Sequence, residues 1–218
     1  MSAAARPDRN TPRWGRFEQA FVSRYRYQNA LQDVDLAVTF VSPSGQEIMV
    51  DAFWDGGYLW RVRFMPDEQG QWRYQTRCSD PANVGLHNLE GSFWCSEPDR
   101  ATPFGRHGRL RLSDNRRYIM HDDGTPFFWL GDTCWAGPMQ ASDEEWEDYL
   151  RVRVRQNFNT VQFMGSHSLA APSGDRDGAM GFSGTERAAV NAAFFQRIDR
   201  RIDAMNRAGL LAVPALLW

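Results

Sequence analysis

The 218 residues include no lysine, so all 25 basic residues are arginine. The 27 acidic residues are interleaved with them, and the formal net charge is -2. A basic face of the kind that follows a nucleic-acid backbone is therefore not evident. We expect no nucleic-acid partner.

Long apolar runs are also missing, since none approaches the roughly 20 residues that a membrane-spanning helix needs. The first residues, MSAAARPDRNTPRW, contain arginine but no apolar stretch of the kind found in secretory signals. We expect no membrane partner. Unless the true N-terminus is missing, the sequence predicts a cytoplasmic location.

Cysteine is scarce, with three residues, Cys78, Cys95 and Cys134, and no C-x-x-C spacing. This odd number favours reduced, mostly buried thiols, although a Cys78–Cys95 bridge stays open for a secreted homologue. Cys134 as a nucleophile is disfavoured because no histidine in its motif would activate it.

Sites for metals and cofactors have little support in the sequence. Residues 121–123, His-Asp-Asp, contain possible metal ligands, but the Asp-Gly that follows predicts a hairpin turn. No G-x-G-x-x-G motif follows the first predicted strand of the C-terminal part. We expect no metal, no cofactor and no catalytic residue in this chain.

Aromatic residues are abundant, with nine Trp, 14 Phe and six Tyr. Such usage suits flat surfaces that contact sugar rings, and a large core explains it equally well. In residues 16–94 apolar side chains alternate with polar ones, as in Leu36, Val38 and Phe40, and turn residues interrupt the pattern. About seven such strands predict an all-β immunoglobulin-like sandwich over residues 1–100, with a linker over 101–107.

The pattern differs in residues 108–218. Three apolar runs, at 126–130, 158–164 and 210–217, alternate with two amphipathic helices. Ser142 and Glu145 form a capping box at the start of the first helix, and Gly209 ends the second. This order predicts a parallel sheet. We interpret it as the first three β/α units of a truncated (β/α)8 TIM barrel, because a whole barrel takes about 250 residues.

The residues expected to bind a ligand follow the three predicted strands. They are Asp132 and Trp135 after the first strand, Gln162 and His167 at the second, and Trp218 at the third. Carboxylate, amide, imidazole and indole groups together suit a polyhydroxylated ligand. Each has a structural alternative: a turn cap for Asp132, packing for Trp135, a buried amide for Gln162 and a surface position for His167.

Two further acidic residues, Asp175 and Asp177, lie in the long loop after the second strand. They could reach the mouth of the same cleft.

Three segments together resemble a known family: "FFWLGDTCW", "NFNTVQF" and "AAFFQRIDRRIDAMNRAGLLAVPALLW". They are similar to the apiosidase-like (β/α)8 glycoside hydrolases. The upstream "DAFWDGGYLWRVRFMPDEQGQWRYQTRCSD" resembles the immunoglobulin-like domain that commonly precedes that barrel. The resemblance implies a hydrolase acting on polysaccharide or oligosaccharide side chains. It also implies that Asp132 and Trp135 line the sugar subsite, with Gln162 and Trp218 near it.

The resemblance implies that the catalytic carboxylates come from later strands than the third. The sequence therefore predicts a fragment of a glycoside hydrolase that is inactive alone, with a carbohydrate substrate. The alternatives are a carbohydrate-binding or adhesion module without catalysis, and a scaffold protein. Oligomeric state, sugar specificity and a retaining or inverting outcome stay open.

Overall fold

The computed structural model describes residues 9–166, 171–184 and 187–215. The chain divides into two compact units, unit 1 over Met1–Ala101 and unit 2 over Thr102–Trp218. Within the described residues, no helix has the length and apolar character required to cross a membrane.

Unit 1 consists of strands joined mainly by tight turns. Its elements are β1 (Asn10–Pro12), β2 (Phe17–Val22), α1 (Ala30–Asp33), β3 (Leu36–Val41), β4 (Glu47–Asp51), β5 (Phe53–Trp54), β6 (Leu59–Phe64), β7 (Gly70–Cys78) and β8 (Glu90–Ser96). The large sheet has the order β1-β8-β7-β3-β4, and the small sheet has the order β2-β6-β5. All of their pairs are antiparallel except β1 with β8.

The core of unit 1 lies between these two sheets. Phe40 of the large sheet stacks on Phe64 of the small sheet, with ring centroids 4.2 Å apart. Phe17 and Phe93 form a second stacked pair across the sheets at 3.9 Å. Trp72 is fully buried and donates its indole N–H to the Glu68 carbonyl at 2.8 Å. The alternating pattern therefore identified these strands and the faces they bury.

Unit 2 mixes short strands with helices. Its elements are α2 (Pro103–His107), β9 (Leu110–Leu112), β10 (Ile119–His121), β11 (Pro126–Phe127), β12 (Gly131–Thr133), α3 (Gly137–Gln140), α4 (Asp143–Arg155), β13 (Thr160–Met164), β14 (Phe182–Ser183), β15 (Ala189–Val190), α5 (Ala192–Arg207) and β16 (Leu211–Ala215). Strands β11-β10-β9 and β14-β15 pair antiparallel, whereas β12-β13-β16 form a parallel sheet.

Helix α4 begins, and helix α5 ends, where the sequence indicates. Ser142 accepts a hydrogen bond from the Glu145 amide at 3.1 Å, and its own amide donates to the Glu145 carboxylate at 2.7 Å. Helix α5 begins after Asn191, and Gly209 follows it with a φ of 78°. That left-handed conformation favours glycine. Buried side chains of both helices and of β13 form the core of unit 2.

The fold-class prediction is wrong. In the part of the chain that the structure describes, several small sheets and five helices form, and no barrel closes. A truncated (β/α)8 barrel after an immunoglobulin-like sandwich is therefore not the fold observed.

The apolar run 126–130 explains part of the error. Its first two residues form β11, which pairs antiparallel with β10, and Phe128 and Trp129 are 79% and 45% exposed. The strand of the parallel sheet, β12, begins only at Gly131. Hydrophobicity alone does not distinguish a buried strand from a short run of exposed aromatic side chains.

We predict that Phe40→Ala destabilises unit 1 by about 3–5 kcal/mol, because a buried ring that joins the two sheets would leave a cavity. Hydrogen exchange of the β3 and β7 amides, followed by NMR, measures this change for unit 1 by itself. Met49→Ala is the control, since Met49 is 72% exposed, and it should change the free energy by no more than about 0.5 kcal/mol. Equal effects of the two substitutions would contradict the shared core.

Candidate functional site

The carboxyl ends of the parallel strands meet at one edge of the β12-β13-β16 sheet. Backbone hydrogen bonds extend the pairing past the strands: the Met164 amide donates to the Trp135 carbonyl at 2.9 Å, and the Gly165 amide donates to the Ala215 carbonyl at 2.9 Å. Trp135 is held beside the end of β13 in this way. Its side chain is 40% exposed.

Asp132 of β12 is bound by helix α4. One carboxylate oxygen accepts a hydrogen bond from the Tyr149 hydroxyl at 2.7 Å and another from the Arg153 guanidinium, which is also its ion-pair partner. The other oxygen accepts from the Thr133 amide at 2.8 Å. The Asp132 side chain therefore lies on the sheet face that α4 covers.

The pKa of Asp132 reflects two opposed causes. Burial raises the pKa, whereas the hydrogen bonds from Arg153 and Tyr149 lower it, and the net result is a pKa below the ordinary value. The same contact has the opposite effect on Tyr149, whose pKa is raised first by burial and then by the Asp132 carboxylate. Asp132 is therefore an ionised anchor at neutral pH.

Gln162 lies on the other face of this sheet. Register pairs Asp132 with Val161, and it pairs Thr133 with Gln162 and Gln162 with Val213. Because successive side chains of a strand point to opposite faces, Asp132 and Gln162 are on opposite sides of the sheet. The structure does not bring these two predicted site residues together.

Thr133 and Gln162 are instead neighbours on the face away from α4. Thr133 is exposed and Gln162 is half-buried, and the Gln162 side chain makes no hydrogen bond to another described residue. Sequence reasoning missed Thr133, although its position at the end of the first predicted strand, beside Asp132, was a usable signal. We name Thr133, Trp135 and Gln162 the strand-end surface.

The other two residues predicted to bind ligand, His167 and Trp218, lie outside the described residues. Their roles stay predictions.

Cys134 is half-buried behind the strand-end surface. Burial raises the pKa of its thiol, and a hydrogen bond with Tyr149 lowers it by less. A protonated, partly buried thiol is a poor nucleophile, which agrees with an inert role. Cys78 and Cys95 are free and buried, and they lie at opposite ends of β7: Cys78 is its last residue, and Cys95 pairs with Gly70, its first.

Asp175 anchors the long loop of unit 2. Its carboxylate accepts hydrogen bonds from the Ala179 amide at 2.9 Å and the Asp177 amide at 3.1 Å, and it forms an ion pair with Arg197 of α5. Burial raises its pKa, but these partners outweigh burial and the net shift is downward. With Asp177 it lines a cavity of about 360 Å³ near the start of α4. The sequence did not indicate the ion pair.

Residues 121–125 form the hairpin turn that the sequence predicts. The His121 amide donates to the Thr125 carbonyl at 2.8 Å, and Gly124 has a φ of 87°. The described residues contain no group of three or more His, Cys, Asp or Glu able to hold a metal ion.

Each of the two units contains a segment that matches a protein-family model. Residues 113–218 match the model of the Apiosidase-like, catalytic domain, and residues 10–79 match a Domain of unknown function (DUF5060). A candidate glycoside hydrolase of known structure from Bacteroides vulgatus is 26% identical with a TM-score of 0.75. This chain is therefore similar in sequence and structure to a protein described as a glycoside hydrolase. The alignment covers 96% of this chain and 41% of that relative, so the chain spans less than half of the relative's length.

Two other solved structures show weaker likeness. One is a glycoside hydrolase family 5 protein from Bacteroides vulgatus, 21% identical, with 51% of this chain and 25% of that chain covered and a TM-score of 0.39. The other is a glycoside hydrolase, 25% identical, with the same coverages and a TM-score of 0.43. A search of curated proteins found no match.

We predict that Asp132→Asn alters the acid sensitivity of unit 2. A folded pKa below the ordinary value of about 3.9 means that the ionised carboxylate contributes stability above that pH, and that the contribution is lost as pH falls through the folded pKa. At pH 7 the variant should be less stable by roughly 1–3 kcal/mol, and the difference should shrink below about pH 4. Urea unfolding at a series of pH values measures both effects.

Asp148→Asn is the matched control, because Asp148 lies on the exposed side of α4 and its one ion-pair partner among the described residues is its neighbour Arg151. It should follow the wild-type pH profile within about 0.5 kcal/mol. If Asp132→Asn also shows the wild-type dependence of unfolding free energy on pH, the contacts of the Asp132 carboxylate contribute no stability.

Proposed function

We propose that this chain forms part of a glycoside hydrolase-like protein and that the strand-end surface of unit 2 contacts the sugar substrate. The observation that supports this most is the 26% identity to a candidate glycoside hydrolase over 96% of the chain, at a TM-score of 0.75. The match of residues 113–218 to the Apiosidase-like, catalytic domain supports it independently.

The chemistry of the strand-end surface suits a sugar. The exposed Trp135 indole offers a flat apolar face to sugar C–H groups. The Thr133 hydroxyl and the Gln162 amide can each donate to and accept from sugar hydroxyls. Asp132 acts here as a positioning residue, since its carboxylate is engaged by Tyr149 and Arg153 behind the sheet.

Hydrolysis of a glycosidic bond generally needs two carboxylates, one on each side of the bond. Among the described residues of the three strand ends, 131–135, 160–166 and 211–215, Asp132 is the single carboxylate. It lies in an ion pair with Arg153 and not on the strand-end surface. We therefore propose that the catalytic pair belongs to sequence outside this chain, consistent with the 41% of the relative that the chain spans.

We predict that Trp135→Ala weakens sugar binding roughly five- to thirtyfold, because stacking on an indole contributes of the order of 1–2 kcal/mol. The measurement is titration of the chain with oligosaccharides from pectic side chains, followed by isothermal calorimetry. Trp135→Phe keeps a flat ring and should recover part of the affinity.

Trp129→Ala is the matched control, since Trp129 is 45% exposed but precedes β12 and lies at the other end of the strand. It should bind as the wild type does. Equal losses in the two alanine variants would contradict the strand-end surface. Turnover of aryl glycosides by this chain, abolished by Asp132→Asn and not by Asp148→Asn, would contradict the placement of the carboxylates.

A further inference from the structure

The large sheet of unit 1 has an open outer face with a groove that the proposed function does not use. The groove has a volume of about 480 Å³. That volume is within the range of small-ligand clefts. We name it the outer-face groove. The polar lining residues used below are Thr39, Gln71, Arg73, Gln75, Glu90 and Ser92, and Val41 and Tyr74 also line it.

Strand alternation directs these polar side chains outward. Trp72 and Thr76 of β7 are buried toward the core, whereas Gln71, Arg73 and Gln75 between and beside them are exposed. Neighbouring strands continue the pattern. The result is a largely polar outer face on three adjacent strands, to which Val41 of β3 adds apolar surface.

Register arranges the polar groups in rows across the sheet. Arg73 pairs with Ser92 of β8 on one side, and Gln75 pairs with Glu90 on one side and with Thr39 of β3 on the other. Paired residues on one face have side chains within about 5.5 Å of each other. A ligand lying across the strands would therefore meet several hydrogen-bonding groups at once.

Some of this hydrogen-bonding capacity is unused. Arg73 makes no ion pair or side-chain hydrogen bond with any residue that the structure describes. The Gln75 side-chain nitrogen donates to Asn88 Oδ1 at 2.8 Å and to Glu90 Oε1 at 3.3 Å. These bonds fix the orientation of the amide, and its oxygen can then accept a hydrogen bond from a ligand. The groove thus offers a planar donor group beside an oriented acceptor.

The charges in the groove limit the kind of ligand. Its lining holds one guanidinium, Arg73, and two carboxylates, Glu47 and Glu90. This balance does not favour a polyanion such as a nucleic acid or an acidic polysaccharide. Val41 and Tyr74 add apolar surface to the lining, but its amides, hydroxyls and charged groups are unlike the apolar centre of a stable protein interface.

An aromatic residue lies at one end of the same face. Trp94 pairs with Gln71 and alternates with the buried Phe93 and Cys95, so it shares the outer face with Ser92. An indole beside hydroxyl-binding groups is a common arrangement for sugar rings. Its own side chain is half-buried.

We propose that the outer-face groove binds a neutral oligosaccharide, with Arg73 and Gln71 donating to sugar hydroxyls and the Gln75 oxygen accepting from one. The choice of a carbohydrate among neutral polyhydroxylated ligands rests on the proposed function. The site itself is separate, because it belongs to unit 1 and shares no residue with the strand-end surface.

The test is calorimetric titration of the whole chain with cellohexaose, xylohexaose and mannohexaose as neutral probes and hexagalacturonate as the acidic probe. At least one neutral hexasaccharide should bind. Arg73→Ala should lower its affinity at least about tenfold, because hydrogen bonds from a charged group are involved. Circular dichroism checks that the variant keeps its fold.

Arg77→Ala is the matched control. Arg77 is an exposed arginine on the same strand and the same face, beyond the groove lining. The Arg77→Ala variant should bind the neutral probe with a Kd within about twofold of the wild-type value. Equal loss in Arg73→Ala and Arg77→Ala, no binding of any neutral probe, or preference for hexagalacturonate would overturn the proposal.

A second variant separates this proposal from the proposed function. Trp135→Ala should leave binding at the outer-face groove unchanged. If neutral sugar binding is lost in Trp135→Ala and kept in Arg73→Ala, the strand-end surface is supported and the outer-face groove is refuted. The reverse result supports the groove, and the strand-end surface is then judged by its own titration with oligosaccharides from pectic side chains.

Discussion

The contact of Asp132 with Tyr149 and Arg153 determines how the strand-end surface of unit 2 is built. It attaches β12 to α4 by a charged hydrogen-bonded group on one face of the sheet. Since side chains alternate along a strand, this attachment turns Thr133 toward the opposite face, where register places Gln162 beside it. The same strand leads directly to Trp135. The sequence predicts that Asp132 binds a sugar, whereas in the structure its contacts with α4 position the residues that follow it.

Local signals in the sequence predicted local structure well. The alternation of Leu36, Val38 and Phe40 identified β3 and its buried face, and the capping box of Ser142 and Glu145 identified the start of α4. These signals depend on residues close together in the chain. Side-chain period and helix capping act over a few residues, so a sequence contains all the information they need.

Features that depend on residues far apart in the chain were not predicted. The sequence could not show that Arg153 reaches back to Asp132 or that Arg197 reaches Asp175, because each pair is about twenty residues apart and joins different elements. The apolar run at 126–130 was misread for the same reason, since its burial depends on which strands lie next to it. Asp132 and Gln162 were expected to converge, and strand register separates them.

The two proposed carbohydrate sites lie on different units and differ in chemistry. Unit 2 presents an indole with a hydroxyl and an amide at the ends of parallel strands. Unit 1 presents a largely polar sheet face around Arg73, which has no ion-pair partner among the described residues. The most direct test of the strand-end surface is an NMR titration that follows the backbone amides of the chain as a pectic oligosaccharide is added. The account predicts shifts at the backbone amides of Thr133, Trp135 and Gln162 and at the Trp135 indole N–H, with little change at Tyr149 and Arg153. Shifts concentrated at Tyr149 and Arg153, with Trp135 unaffected, would contradict it.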